Sequence, residues 1–191
     1  NNHRGELGIQ FSGVGLGMAL CAVAVEVMNT VFDWREQWFV LTAIGALILI
    51  PAWVWLPRPE SIPSGVNRKT MEDSPPGAIF MRLVTAAYFC AGVGYVVSAT
   101  FIVAIVDELP GLEGKGVWAF LVMGLAAAPS AILWDLVARR FGNMNALIAA
   151  SLLQAVGILL PVIEPSLMLT MLGAILFGGT FVGIVCLVLT M

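Results

Sequence analysis

Long apolar runs separated by short polar links constrain this chain more than any other feature. Each run is long enough, at about 1.5 Å per helical residue, to cross a hydrocarbon core of roughly 30 Å. Because lipid offers no partners to backbone N–H and C=O groups, we expect each run to be a helix. The sequence therefore predicts an all-α membrane protein with six transmembrane helices, at residues 8–32, 38–56, 83–106, 117–138, 146–163 and 167–191.

The composition agrees with a lipid environment. Hydrophobic residues make up 60% of the chain and charged residues 11%, whereas soluble domains have about 25% charged residues. The formal net charge is -3, and the chain has no long basic run. This excludes nucleic-acid binding as a function class, because phosphates need clustered Lys and Arg. We expect the lipid bilayer to be the surrounding partner.

Basic residues in the links predict the orientation. The link between the second and third spans carries four of them, and the link between the fourth and fifth carries Arg139 and Arg140. Cytoplasmic links have an excess of Lys and Arg. We therefore expect both links to face the cytoplasm, and the first span to start on the cytoplasmic side.

Residues 58–82 differ from the rest of the chain, because they are rich in Pro, Ser, Gly and charge. Such a composition is typical of a flexible linker. It divides the chain into residues 1–57 with two spans, a cytoplasmic linker at 58–82, and residues 83–191 with four spans.

Four runs of this sequence resemble the major facilitator superfamily, and within it the YbfB-type branch of bacterial transporters: "FSGVGLGMALC", "AYFCAGVGYVVSATF", "GLAAAPSAILW" and "LFGGTFVGIVCLVL". The resemblance implies a partial major facilitator fold that corresponds to helices five to ten of twelve. Residues 1–57 would then be the last two helices of the N-terminal bundle, and 83–191 the first four of the C-terminal bundle. The remaining helices of the same transporter become expected partners, and the bacterial inner (plasma) membrane the expected location.

The link after the fourth span is compared with a cytoplasmic turn of the superfamily, which usually has Gly, three residues, Asp, Arg, one residue, Gly and two basic residues. Only Arg140 and Gly142 match this pattern in kind. Asp135 lies one helical turn before Arg139 and can pair with it. These four residues are candidates for a charge latch between helices. Alternatively, the two Arg side chains only mark the cytoplasmic end of the helix, with Gly142 as its C-cap.

One face of the first span consists of small residues at helical spacing. Gly13 and Gly17 add a GxxxG spacing beside this face. Both features are typical of close helix contact in membranes. The face is formed by Gly8, Ser12, Gly15 and Ala19, with Glu26 at its outer end.

Glu26 is the one carboxylate well inside a predicted span. A carboxylate in lipid is costly and often functional, so Glu26 is the candidate for proton coupling. The alternative is a hydrated residue at the outer membrane boundary.

Polar side chains on the later spans are candidates for a substrate cavity. Tyr88 and Tyr95 are seven residues apart on one helix face, and the resemblance implies that this helix lines the cavity. The other candidates are Ser98, Gln154 and Thr180. The alternative for these residues is ordinary contact between helices.

We recognise no catalytic motif in the sequence. Its single histidine lies outside the spans, and its three cysteines lie in apolar runs without CxxC spacing. We therefore expect no enzyme activity, no cofactor and no metal site. We expect a secondary active transporter of a small organic solute that works by alternating access with proton coupling. The alternative is a complete six-helix membrane scaffold or assembly protein without transport activity.

Overall fold

A computed structural model of the chain describes residues 2–55, 77–164 and 166–190. All six helices in these ranges are long and apolar enough to cross a membrane. The predicted all-α architecture with six candidate spans is therefore confirmed. The helices are α1 (Asn2–Met28), α2 (Trp34–Trp55), α3 (Ala78–Asp107), α4 (Gly116–Phe141), α5 (Asn143–Ile163) and α6 (Leu167–Leu189).

All six helices differ from their predicted spans at one or both ends. α1 ends at Met28 instead of residue 32, and the chain then forms a turn in which the hydroxyl of Thr30 donates to the carbonyl of Val27 at 2.8 Å. α3 begins at Ala78, so the last residues of the predicted linker are helical. Residues 58–76 of that linker lie outside the described part of the chain.

The structure contains two compact units, which we describe separately. The first unit contains α1 up to Glu26 and everything from Leu83 onward. The second runs from Val27 to Arg82 and contains α2. Among the described residues of α2, none is buried, which suits a helix that contacts lipid. The predicted division into two transporter bundles stays a prediction.

α6 is the centre of the first unit. Its residues Phe177, Phe181 and Val182 form the main core cluster together with Met123 and Ala127 of α4. Near its end, α6 also packs against α5 through a second cluster of buried aliphatic residues. α6 therefore lies between α4 and α5 and has a larger buried share than any other described helix.

Glycines set the close distance between α4 and α6. A Cβ atom added at Gly178 would overlap the backbone carbonyl of Met123, and one added at Gly183 would overlap the ring of Trp134. Membrane helices associate largely through such close packing, because lipid removes the hydrophobic driving force between them. The small side chains of α6 are therefore necessary for its central position.

The small face of α1 packs against α4, as the sequence predicts. Gly8, Gly15 and Ala19 are buried, and a Cβ atom at Gly15 would overlap the backbone of Ala128. In contrast, no described atom lies within 4 Å of a Cβ atom added at Gly13 or Gly17. The α1–α4 contact therefore uses the Gly8–Gly15–Ala19 face and leaves the GxxxG pair outside it.

The close contact at Gly178 predicts opposite effects for two neighbouring substitutions on α6. Gly178→Ala places a methyl group against a rigid backbone carbonyl, so we expect destabilisation by about 1–3 kcal/mol from overpacking. Gly179→Ala is the matched control, because a Cβ atom there meets nothing within 4 Å among the described residues. Since Ala has the higher helix propensity, this control should be neutral or slightly stabilising.

The measurement is thermal unfolding of the purified full-length protein in detergent. Equal melting temperatures for wild type and Gly178→Ala would contradict the close α4–α6 contact.

Candidate solute cavity

A cavity of about 250 Å³ lies between α1, α3, α5 and α6 within the first unit. We call it the first cavity. Most of its wall is aliphatic or aromatic, and its polar side chains are two tyrosines and one glutamine. The lining residues are Phe11, Val14, Tyr88, Ala91, Gly92, Tyr95, Gln154, Phe181, Val182, Ile184 and Val185.

The first cavity brings together three of the residues selected from the sequence. Tyr88 and Tyr95 reach it from α3, since a spacing of seven residues keeps both on one helix face. Gln154 reaches it from α5 and is only 7% exposed. Its amide makes no hydrogen bond with the described residues, although buried polar groups usually have a partner.

A stack of three aromatic rings bounds the first cavity on one side. The ring centroids of Tyr95 and Phe181 are 4.9 Å apart, with an angle of 23° between the ring planes. Phe181 in turn stacks on Phe177 with centroids 5.7 Å apart. Such offset arrangements are favourable for aromatic pairs. The stack fixes the orientation of the Tyr95 ring at the cavity wall.

A second cavity of about 190 Å³ lies between α3, α5 and α6. Ser98, which was a cavity candidate from the sequence, lines this second cavity and does not line the first. The other polar side chain in its wall is Thr170. The complete lining is Val97, Ser98, Ile102, Ile105, Val106, Gly157, Ile158, Pro161, Val162, Thr170, Gly173, Ala174 and Phe177.

Thr180 lines neither cavity. It is buried, and its single hydroxyl proton is shared between two carbonyl acceptors, those of Leu176 at 2.8 Å and Phe177 at 3.0 Å. Both acceptors are on α6 itself, one turn earlier. The hydrogen-bonding capacity of this hydroxyl is therefore used within the helix.

Glu26 also lies apart from both cavities. It is exposed, near the end of α1, and it forms no hydrogen bond or ion pair with the described residues. The structure places it inside the apolar segment Gly8–Met28. Its role in proton coupling stays a prediction.

Sequence reasoning missed a polar contact between α4 and α6. The hydroxyl of Ser130, which is 0% exposed, donates to the carbonyl of Gly179 at 2.9 Å and accepts from the N–H of Gly183 at 3.0 Å. The indole N–H of Trp134 donates to the same Gly179 carbonyl at 2.7 Å. The available signal was the i, i+4 spacing of Ser130 and Trp134, which puts two donors on one face of an apolar helix.

The turn between α4 and α5 contains the predicted latch residues. Arg139 forms an ion pair with Asp135 at 2.8 Å, across the i, i+4 spacing noted in the sequence. Gly142 has φ +89° and is the C-cap of α4, as one interpretation of the sequence expects. Arg140 lies over the ring of Phe141 at 5.6 Å. Because the ion pair joins two residues of the same helix, a latch between helices stays a prediction.

Within residues 2–55, 77–164 and 166–190, no group of three or more His, Cys, Asp or Glu side chains is placed to hold a metal ion.

Comparisons with known proteins identify the family. A family model described as "Uncharacterised MFS-type transporter YbfB" matches residues 2–191. No curated protein and no solved structure gives a significant match. The family model covers nearly the whole chain, and the six apolar helices agree with a multi-pass membrane protein. The chain therefore belongs to the YbfB-type family of major facilitator superfamily transporters.

Proposed function

We propose that the protein is a secondary active transporter that moves a small, uncharged organic solute by alternating access. Family membership supports transport as the general activity. The single observation that carries the solute proposal is Gln154, a 7% exposed residue that lines the first cavity and makes no hydrogen bond with the described residues. The proposed location is the bacterial inner membrane, with the start of α1 in the cytoplasm.

The first cavity has the properties of a site for a small organic molecule. Binding sites are mostly apolar and aromatic, with a few polar groups that orient the ligand. The volume of about 250 Å³ is below the range of roughly 300–1,000 Å³ for drug-sized ligands, which favours a smaller solute. The rings of Tyr95 and Phe181 offer a surface for stacking an aromatic or planar solute.

The amide of Gln154 can orient this solute. It offers two N–H donors and one carbonyl acceptor. A bound solute with a hydrogen-bonding group would pair with this amide, and one such hydrogen bond contributes about 0.5–1.5 kcal/mol. The described residues that line the cavity include no charged side chain. A charged solute would lose its hydration without gaining a counter-ion, so an uncharged solute is favoured.

The α1–α4 contact supports the alternating-access part of the proposal. In the superfamily, the helix that α1 resembles lies between the two halves and moves during transport. α1 contacts α4 through Gly8, Gly15 and Ala19, and no hydrogen bond joins the described residues of the two helices. A relative rotation of these helices would therefore break no polar contact between them. Transporters of this class use such rigid-body movement around a site near the midplane.

Glu26 is the proposed proton-coupling residue. It lies in the apolar segment of α1, where a carboxylate is expensive to keep charged. Its exposure leaves it accessible to water or to the remaining helices of the transporter. Reversible protonation at this position would then be coupled to the movement of α1.

The proposed activity is tested by reconstituting the full-length protein into liposomes and imposing a pH gradient in the presence of a bacterial metabolite extract. Mass spectrometry of the washed vesicles identifies compounds that accumulate relative to protein-free liposomes. We expect at least one small, uncharged, ring-containing compound to accumulate. If no compound does, the transport proposal is wrong.

Gln154→Leu removes the amide at nearly constant volume. We expect the KM for the identified solute to rise by about tenfold, which corresponds to roughly 1.4 kcal/mol, the size of one good hydrogen bond in this setting. Thermal stability should stay equal or increase, because an unpaired polar group has been removed. Ser151→Ala on an exposed position of the same helix is the control and should leave KM unchanged. An unchanged KM in Gln154→Leu would exclude contact between the amide and the solute.

Glu26→Gln tests proton coupling separately from solute binding. We expect accumulation driven by the pH gradient to fall at least tenfold, while exchange of labelled solute across the membrane without a gradient continues, since the neutral amide mimics the protonated acid. Glu164→Gln, at the exposed end of α5, is the matched control and should behave like wild type. Gradient-driven accumulation at the wild-type level in Glu26→Gln would remove this residue from the mechanism.

A further inference from the structure

We infer that the second cavity is a separate binding site for one small, uncharged molecule with a hydroxyl or similar hydrogen-bonding group, and that Thr170 holds this group. Its place on a transport path rests on the proposed function, whereas binding itself does not.

Thr170 is 2% exposed, and its Oγ1 atom is the one buried side-chain polar atom without a hydrogen-bond partner among the described residues. A threonine in a helix commonly donates back to a carbonyl of the preceding turn. Thr180 on the same helix does so. Thr170 instead lines the second cavity with its hydroxyl unused. A buried hydroxyl without a partner costs free energy, because it has lost its hydrogen bonds to water. A ligand that forms a hydrogen bond with this hydroxyl would recover that free energy.

Pro161 of α5 lines the second cavity and has no N–H to donate to the carbonyl of Gly157 one turn earlier. The oxygen of that carbonyl lies 2.6 Å from the position of a Cβ atom added at Gly173, so it belongs to the contact between α5 and α6. Among the described lining residues, the hydroxyls of Thr170 and Ser98 are therefore the polar groups of the wall. An alcohol or an amide matches the Thr170 hydroxyl, since each can donate and accept.

The volume of the cavity and its other lining residues favour a small, apolar and uncharged remainder for the ligand. Apart from Ser98 and Thr170, the lining side chains are aliphatic, aromatic or absent. An apolar protein cavity of about 150 Å³ is large enough to bind benzene, and the second cavity measures about 190 Å³. A single six-membered ring with one polar substituent therefore fits, and no described lining residue offers a charge to an ion.

The aromatic stack connects this site with the first cavity. Phe181 lines the first cavity, Phe177 lines the second, and their rings stack on each other. The two cavities are therefore next to each other along α6, with the rings between them. If the proposed transport is correct, the second cavity is an additional stop on the solute path, and rotation of Phe177 and Phe181 connects the two sites.

The test is ligand binding to the purified full-length protein in lipid nanodiscs, followed by ¹⁹F NMR. The probes are 4-fluorobenzyl alcohol and 4-fluorotoluene, which share the ring but differ in the hydroxyl. Empty nanodiscs correct for partition into lipid, which does not saturate. We expect saturable binding of the alcohol to the wild type.

Thr170→Val removes the hydroxyl at nearly constant volume. It should weaken binding of the alcohol about three- to tenfold, as expected for one hydrogen bond, and leave binding of fluorotoluene unchanged. Thr180→Val is the same substitution on the same helix, at a residue that lines neither cavity, and should change neither affinity. Ser98→Leu fills the cavity from α3 and should weaken binding of both probes.

Two results would overturn the inference: no saturable binding of the alcohol to the wild type, or equal affinity for it in wild type and Thr170→Val. These outcomes are separate from failure of the transport proposal. Binding that depends on Thr170 would still establish the site if the liposomes accumulate no solute. Conversely, loss of transport in Gln154→Leu with unchanged binding in Thr170→Val would leave the first cavity as the solute site and remove the second.

Discussion

The helices of the first unit are held together by contacts at glycine, and the position of every other group in the unit depends on these contacts. Helices in lipid gain little from hiding apolar surface from each other, so they associate where their backbones can approach closely. Gly178 and Gly183 allow α6 to approach α4, and Gly157 and Gly173 allow it to approach α5. Gly15 does the same for α1 on α4. A larger side chain at these positions would separate the helices and change the cavities between them.

Buried polar side chains of the first unit form hydrogen bonds with backbone groups, with two exceptions among the described residues. The buried hydroxyl of Ser130 bonds to the backbone of α6, and the buried hydroxyl of Thr180 bonds within its own helix. Among the described residues, the side chains of Gln154 and Thr170 form no such hydrogen bond, and each residue lines a cavity. Since an unpaired buried group lowers stability, its retention next to a cavity is best explained by a ligand. The two proposals are independent uses of this same physical argument.

The aromatic stack links the packing of α6 to both candidate sites. Phe177 and Phe181 belong to the core cluster that joins α6 to α4, and the same rings form walls of the two cavities. Movement of α6 relative to α4 would therefore change both cavities together. The hydrogen bonds from Ser130 and Trp134 to the Gly179 carbonyl lie in the same segment of α6 and restrain that movement.

The number and approximate length of the helices can be predicted from the amino-acid sequence, because a chain in lipid must satisfy its backbone groups within each span. The sequence also determines the local pairs, such as Asp135 with Arg139, and the small face of α1, because these depend only on spacing along one helix. Contacts between distant parts of the chain decide that Gly15 packs on α4 while Gly13 does not, and that Tyr95 and Gln154 line one cavity while Ser98 lines another. The reason is that these helices are apolar on nearly all sides, so their hydrophobic pattern does not specify which face turns inward. That choice is made by contacts between residues far apart in the chain.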